Sequence, residues 1–516
     1  MSQQPEKKKS HLRTIGIIMI ITLSGKVLGL VRDMLLGHNF ATGMESTAFQ
    51  VASRIPRTFF DAIFASAISA TFIPVFNERL EKHGKKDAFL LSQSFFTWVG
   101  IATAIFSLVG MLLSEQIVTI LADGFDSETS MLCASLLRIL FPTVFFTGLA
   151  FSMVGVLQSM GQFNIPAALS TVSNAVIILY YILFCRKYGI YGLAWAFLAG
   201  WAAQALMQIP WLYRNGFRYR PRLKHPALKQ IFSLMLPVMI STWIQPLNQL
   251  ISTRFATHLF DGAGASAMDY ANTLYTMLIG ILVLSITNVI FPEMSKLSSQ
   301  GDEKALGEVI VTNIRGMLFF LIPLTVGVML MSTPLVRLLY EWKSWDSFST
   351  TITARALCFM SLGMVGYGIQ NVLSRAFYSG QHGMIPLISG IVAIMTNLLL
   401  CVLLGNSMDV AGLSLATAIS TTISALVLLV PTIRRFPEMW GWKLWKDIGK
   451  MLLCALVMGV VVFLSHRWML GMLPDNLVGR MLLLGVPTIC GIVVYFIAAL
   501  LVRLPELDIV RKFIKK

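Results

Sequence analysis

Thr14-Ile15-Gly16-Ile17-Ile18-Met19-Ile20-Ile21-Thr22-Leu23-Ser24-Gly25-Lys26-Val27-Leu28-Gly29-Leu30-Val31-Arg32-Asp33-Met34-Leu35-Leu36 is an apolar run broken by three charged residues. At 1.5 Å per residue a helix of this length spans the ~30 Å hydrocarbon layer of a bilayer. Helix is the conformation expected, because an unpaired backbone amide is too costly in lipid. Lys7, Lys8, Lys9 and Arg13 precede the run. It is too long for a signal-peptide core and lacks a small-residue cleavage site, so it reads as a permanent first transmembrane helix.

The same pattern repeats along the chain. Further apolar runs fall near 47–76, 89–113, 131–157, 166–185, 190–213, 230–259, 267–291, 309–331, 353–378, 384–404, 410–433, 447–468 and 479–502. The 516 residues are 56% hydrophobic and 13% charged, against about 25% charged in soluble domains. The expectation is an all-α integral membrane protein of about fourteen transmembrane helices, with no folded soluble domain between them.

Orientation follows from the basic residues. Arg79, Lys82, Lys85 and Lys86 share a side with Arg214, Arg218, Arg220, Arg222, Lys224 and Lys229. Lys296, Lys304, Arg434, Arg435, Lys443, Lys446, Lys450 and the C-terminal Arg511, Lys512, Lys515 and Lys516 fall there too. That side reads as cytoplasmic, with both termini on it. The gap after the third helix is acidic instead, with Glu115, Asp123, Asp126 and Glu128. The net charge of +16 is thus a topology signal. It gives no basic soluble face for nucleic acid.

An internal repeat divides the chain. Phe72-Ile73-Pro74, with Gly84 and Ala88 after it, matches Phe291-Pro292 with Gly301 and Ala305. Gly161-Gln162 before Pro166 matches Gly380-Gln381 before Pro386, and Gly192-Leu193-Ala194 matches Gly412-Leu413-Ser414. Pro74 to Pro292, Pro166 to Pro386 and Gly192 to Gly412 are offsets of 218, 220 and 220. Two six-helix lobes are expected, 1–228 and 229–440, followed by 441–516 with two extra helices and a tail. Six is even, so the lobes share one orientation and a pseudo-twofold axis along the membrane normal relates them, as in transporters with parallel repeats.

Metal and redox chemistry find no support. The six cysteines and seven histidines are scattered, without ligand spacing. No metal or cofactor is expected. Nor is an enzyme, because no catalytic constellation is recognisable.

The informative residues are charges inside the runs, where each cation costs roughly 2.5–3.5 kcal/mol on insertion scales. The first helix holds Lys26, Arg32 and Asp33; the second holds Arg54, Arg57 and Asp61 on one face. Arg57 and Asp61 are spaced to pair. Arg254 lies in the seventh run and Arg375 in the tenth; Arg138, like Arg375, is near a helix end, where a snorkelling role is the simpler reading. Lys26, Arg32, Arg54, Arg57 and Arg254 are the candidate substrate-binding cations, with Asp33, Asp61 and Arg375 in support. Cations in excess of carboxylates suit an anionic ligand, phosphate above all.

Ser24-Gly25-Lys26-Val27-Leu28-Gly29-Leu30-Val31-Arg32-Asp33 resembles the first-helix signature of the MurJ (MviN) lipid II flippase family. Thr71-Phe72-Ile73-Pro74-Val75-Phe76, Asp269-Tyr270-Ala271-Asn272, Phe291-Pro292-Glu293-Met294-Ser295-Lys296-Leu297 and Leu373-Ser374-Arg375-Ala376-Phe377-Tyr378 extend the likeness over the chain. The resemblance implies the multidrug/oligosaccharidyl-lipid/polysaccharide exporter (MOP) fold in the bacterial cytoplasmic membrane. It implies transfer of undecaprenyl-diphosphate-linked peptidoglycan precursor, lipid II, to the outer leaflet by alternating access, with Lys26, Arg32 and Arg54 at family cavity positions. It implies a groove for the lipid tail on helices 13 and 14. Besides lipid II and membrane lipids, cell-wall synthesis machinery is an expected partner of a monomeric chain. The sequence departs from relatives at Phe60-Asp61-Ala62, at Thr273, and at Thr253 and Cys401, where a proposed sodium site uses acids. A flippase of another polyprenyl-diphosphate-linked oligosaccharide, an O-antigen, capsule or teichoic-type unit, is the alternative, because the diphosphate is common to all of them.

Overall fold

The computed structural model describes residues 4–507 apart from 243 and 381, and omits the side chains of 4–17, 19, 59–67, 69–70, 236–245, 281, 284–286, 288–289 and 292. Among the described residues the regular structure is helical throughout. The chain divides into two compact units, Met1–Gly262 and Ala263–Lys516.

The first unit contains α1 (Gln4–Phe40), α2 (Met44–Ala67), α3 (Ile73–Leu112), α4 (Ser114–Leu121), α5 (Ser127–Leu140) and α6 (Thr143–Ser159). It continues with α7 (Asn164–Leu183), α8 (Cys185–Leu206), α9 (Ile209–Arg214), α10 (Leu228–Thr242) and α11 (Ile244–Thr257). α10 and α11, which the sequence repeat assigns to the second lobe, pack here against α2, α3 and α4. Aromatic rings fill the unit where α3 begins: Phe72 stacks on Phe95 at 4.6 Å, and Phe217 meets Phe89 and Phe96 at 5.4 Å each. Gly155 of α6 lets its helix close on this stack, since a Cβ there would stand 2.7 Å from the Phe72 ring.

The second unit contains α12 (Ala263–Gln300), α13 (Glu303–Tyr340), α14 (Ser347–Ser361), α15 (Met364–Ser379), α16 (Met384–Arg435), α17 (Trp442–Met469) and α18 (Leu477–Leu501). Tyr270, Tyr340 and Trp345 form an aromatic cluster with centroids 4.9–5.1 Å apart. Short polar side chains start the helices, as N-caps should. Asp126 accepts from the Thr129 amide, Asp302 from Ala305, Asp346 from Ser349 and Asn476 from Gly479.

Among the described residues eight helical spans, with α5–α6 and α8–α9 each taken as one, are long and apolar enough to cross a membrane, or nine with the pair α14–α15, bent by 46°, taken as one broken span. The count of fourteen is not reached by this measure. α2 concentrates Arg54, Arg57 and Asp61 within eight residues, and the 52-residue α16 holds two of the expected runs on either side of a break at Asp409. The outward faces are apolar: Ile105, Leu108 and Leu112 on α3 and Leu452, Leu456 and Leu464 on α17 are exposed. In water such faces would drive association; here they are the surface a bilayer covers. This is a multi-pass membrane protein.

Candidate functional site: cations of the first unit

α1 lies along α7 because small residues permit it. A Cβ on Gly25 would come 3.2 Å from Ser170, and one on Gly29 3.3 Å from Asn174. This closeness sets up the environment of Arg32. Its Nε and Nη2 donate to Asp33 Oδ1 at 2.9 and 2.7 Å, and Nη1 donates to Asn174 Oδ1 at 3.1 Å. The guanidinium also faces the ring of Phe197, 5.4 Å from its centroid. Asn174 in turn donates to the Gly25 carbonyl at 3.0 Å, tying the arrangement to both helices. Arg32 is therefore a fixed, half-buried cation. Lys26, two turns earlier, is exposed.

On α2, Arg54 is half-buried and donates through Nη1 to the hydroxyl of Thr253 on α11. Arg57, one turn on, is exposed. Asp61, the expected partner of Arg57, has its side chain outside the described residues.

Arg254 follows Thr253 but serves a different contact. Its Nε and Nη2 donate to the two oxygens of Asp123 at 3.2 and 2.6 Å, and His258 Nε2 lies 3.0 Å from Asp123 Oδ1. The hydrogen bond from Arg254 is the main reason the Asp123 carboxyl sits below the usual carboxylate range. Gly124 brings the loop close enough, since a Cβ there would stand 2.5 Å from the His258 amide nitrogen. Arg254 thus clamps the loop between α4 and α5 to the end of α11, while its neighbour Thr253 receives Arg54.

Arg138 donates to Ser114 at 2.9 Å and to Glu115 at 2.5 Å, the end-of-helix pairing its position suggests. In the second unit Arg375 lies 5.8 Å from the centroid of the Phe291 ring. That unit also holds ion clusters that sequence reading passed over. Arg315 of α13 donates to Glu506 at 2.8 Å and Asp447 at 2.9 Å, both acids being buried. At the other end of α13, Arg337 and Glu341 meet Asp475 and Arg480 at 2.7 and 3.4 Å. The α17–α18 pair is thereby fastened to α13 at two levels. Among the described residues there is no cluster of three or more metal-ligating side chains.

In chemical terms the first unit offers guanidinium groups on two helices, α1 and α2, held by an acid, an amide and a hydroxyl. Such groups can exchange those partners for phosphate oxygens with little reorganisation. An all-helical, multi-pass fold carrying cations of this kind belongs with transporters. The chain has a TM-score of 0.69 with the structure titled "Inward-facing conformation of a multidrug resistance MATE family transporter of the MOP superfamily", at 13% identity, covering 82% of this chain and 98% of that one.

The family is defined more closely by sequence. The model of the family described as "Lipid II flippase MurJ" matches residues 36–479, and the chain belongs to that family. It is 27% identical over 513 residues to "Probable lipid II flippase MurJ" of Rhizobium tropici, covering 96% of this chain and 95% of the relative. It is likewise 27% identical over 446 residues to "Lipid II flippase MurJ" of Burkholderia cenocepacia, covering 83% and 86%. The structure titled "Lipid II flippase MurJ, inward closed conformation" aligns with a TM-score of 0.81 at 26% identity, covering 94% of this chain and 98% of that one.

Proposed function

We propose that this chain moves lipid II from the cytoplasmic to the outer leaflet of the bacterial cytoplasmic membrane, alternately exposing one cationic site to the two sides. The observation that carries the reading is the family match over residues 36–479, joined to the half-buried cations on α1 and α2. Arg32 and Arg54 bind the diphosphate, with Lys26 and Arg57 adding charge at the exposed edge. Each guanidinium replaces part of the hydration that phosphate loses away from water. Asp33 and Asn174 hold Arg32 between cycles, which limits the cost of a buried cation without its ligand. Arg254 acts as a clamp on α11 through Asp123, and Thr253 places Arg54. Both termini are cytoplasmic, on the side of the basic loops.

The test is complementation of a flippase-depleted bacterium. Wild-type protein should restore wall synthesis. Arg54→Ala should insert in the membrane normally and fail to restore it. Restoration of a surface polysaccharide alone would assign the chain to another polyprenyl-diphosphate saccharide and refute the lipid II reading.

A further inference from the structure

Between α9 and α10 the chain runs without regular secondary structure as a strap, 217–225, along α3 near residues 93–98. Side chains on one short stretch of α3 hold its backbone. Gln93 Nε2 donates to the Arg218 carbonyl at 2.6 Å, Trp98 Nε1 to the Leu223 carbonyl at 2.9 Å, and the Arg222 amide to Thr97 Oγ1 at 3.2 Å. Tyr219 and Thr97 share a hydroxyl contact at 3.1 Å. With its backbone and the Phe217 and Tyr219 side chains fastened to α3, the strap leaves its basic side chains outward. Arg218, Arg220, Arg222 and Lys224 are all exposed. Residues 214–232 contain no aspartate or glutamate. Asp87 on α3 is the acid beneath the strap, and it faces His225 at 3.4 Å and Arg79 at 3.8 Å. Burial is the main reason His225 is held below its ordinary value, so the positive charge here belongs to the arginines and Lys224.

Beside these cations is an open groove of about 530 Å³, lined by Trp98, Leu223, Lys224, His225 and Phe232 among others. Trp98, Leu223 and Phe232 expose apolar surface there. From Trp98 a stripe of exposed apolar side chains continues along α3 at one-turn intervals: Ile101, Ile105, Leu108 and Leu112. A cationic rim on the strap and an aromatic floor thus adjoin an apolar track along α3. The sequence of environments matches that of a phospholipid, with phosphate outside, glycerol backbone at the interface and acyl chain within.

We propose that this groove binds an anionic phospholipid of the leaflet that faces the basic loops, its phosphate on Lys224 and the strap arginines and an acyl chain along Trp98, Ile101 and Ile105. Charge complementarity selects the occupant: a zwitterionic lipid offers the same chain but no net negative head. The groove's lining includes neither Arg32 nor Arg54, and the inference requires only that the protein is embedded in a membrane.

The experiment uses the full chain in neutral detergent, with equal amounts of dioleoylphosphatidylglycerol and dioleoylphosphatidylcholine, and native mass spectrometry to read bound lipid. Wild-type protein should retain phosphatidylglycerol over phosphatidylcholine by about tenfold, since clustered cations favour an anionic headgroup over a zwitterionic one. The triple variant Arg220→Gln/Arg222→Gln/Lys224→Gln should lose that preference. Lys224→Gln alone, a change at one exposed side chain, should lose part of it. Lys443→Gln/Lys446→Gln, exposed basic residues elsewhere, should leave it intact. Absence of preference in the wild type, its retention in the strap variants, or equal loss in the distant pair would overturn the proposal. Displacement of phosphatidylglycerol by equimolar undecaprenyl diphosphate would also overturn it, by assigning the groove to the substrate.

Discussion

Gly189 and Asp409 hold one backbone conformation, φ 52°, ψ −143° in the first and φ 53°, ψ −137° in the second. They stand 220 positions apart, the offset that separates Pro166 from Pro386 and Gly192 from Gly412. Each breaks its helix just before the Gly-Leu element of the repeat. Gly84 and Gly301, in the corresponding loops of the two halves, likewise share positive φ, 79° and 71°. The repeat read in the sequence is therefore expressed in local geometry.

This conformation is one that glycine alone adopts without strain, and a residue with a Cβ in it stores about 1–3 kcal/mol. Asp409→Gly should raise the thermal midpoint of the detergent-solubilised protein by a few degrees. Gly189→Asp should lower it. A differential scanning measurement in which the two substitutions shift the midpoint alike would contradict the equivalence.

The Asp123 clamp should respond to acid. Arg254 holds the Asp123 carboxyl below its ordinary value, so its contribution is present above the unfolded carboxylate value of about 4 and disappears as pH falls through the lower folded value. Arg254 is half-exposed, and the pair therefore contributes no more than about 1 kcal/mol. Asp123→Asn should produce a small, salt-sensitive loss of stability that vanishes at low pH. Gly124→Ala should cost more, because the His258 backbone in its way cannot turn aside as a side chain would. Equal midpoints for the two variants at neutral pH would refute the geometry.

Burial predicts a contrast between the two ion clusters on α13. Asp447 and Glu506 are 4% and 3% exposed, so Arg315→Ala leaves buried carboxylates without their cation and should cost roughly 3–5 kcal/mol. Arg337→Ala at the exposed cluster should cost under about 1 kcal/mol. Adding Glu506→Gln to Arg315→Ala should recover part of the loss. Thermal unfolding in detergent, with all variants at one ionic strength, separates these outcomes.

Much of this was legible in the sequence because it is local. Runs of apolar residues fix the helices, and charge within a run such as Lys26, Arg32 or Arg54 stands out against its surroundings. The partners were not legible, because they come from far away along the chain. Asn174 reaches Arg32 across 142 positions and Asp123 reaches Arg254 across 131, and neither spacing has a periodicity. Arg315 escaped notice for the same reason. One arginine in an apolar run gives no sign that two acids beyond it in sequence, Asp447 and Glu506, fold back onto it. Arg254 shows the same limit: its place in an apolar run suggested a ligand site, and nothing in the run pointed to its ion pair with Asp123 in a loop.

The central claim is that Arg32 and Arg54 carry the diphosphate of lipid II. The most direct measurement is the fraction of lipid II exposed on the outer leaflet of flippase-depleted cells that express wild-type, Arg32→Ala, Arg54→Ala or Arg54→Lys protein at matched membrane levels. Wild-type protein should restore outer-leaflet lipid II and both alanine variants should leave it in the inner leaflet. Arg54→Lys should fall between them, since it keeps charge and loses the two-pronged geometry. Normal outer-leaflet lipid II in both alanine variants would contradict the account.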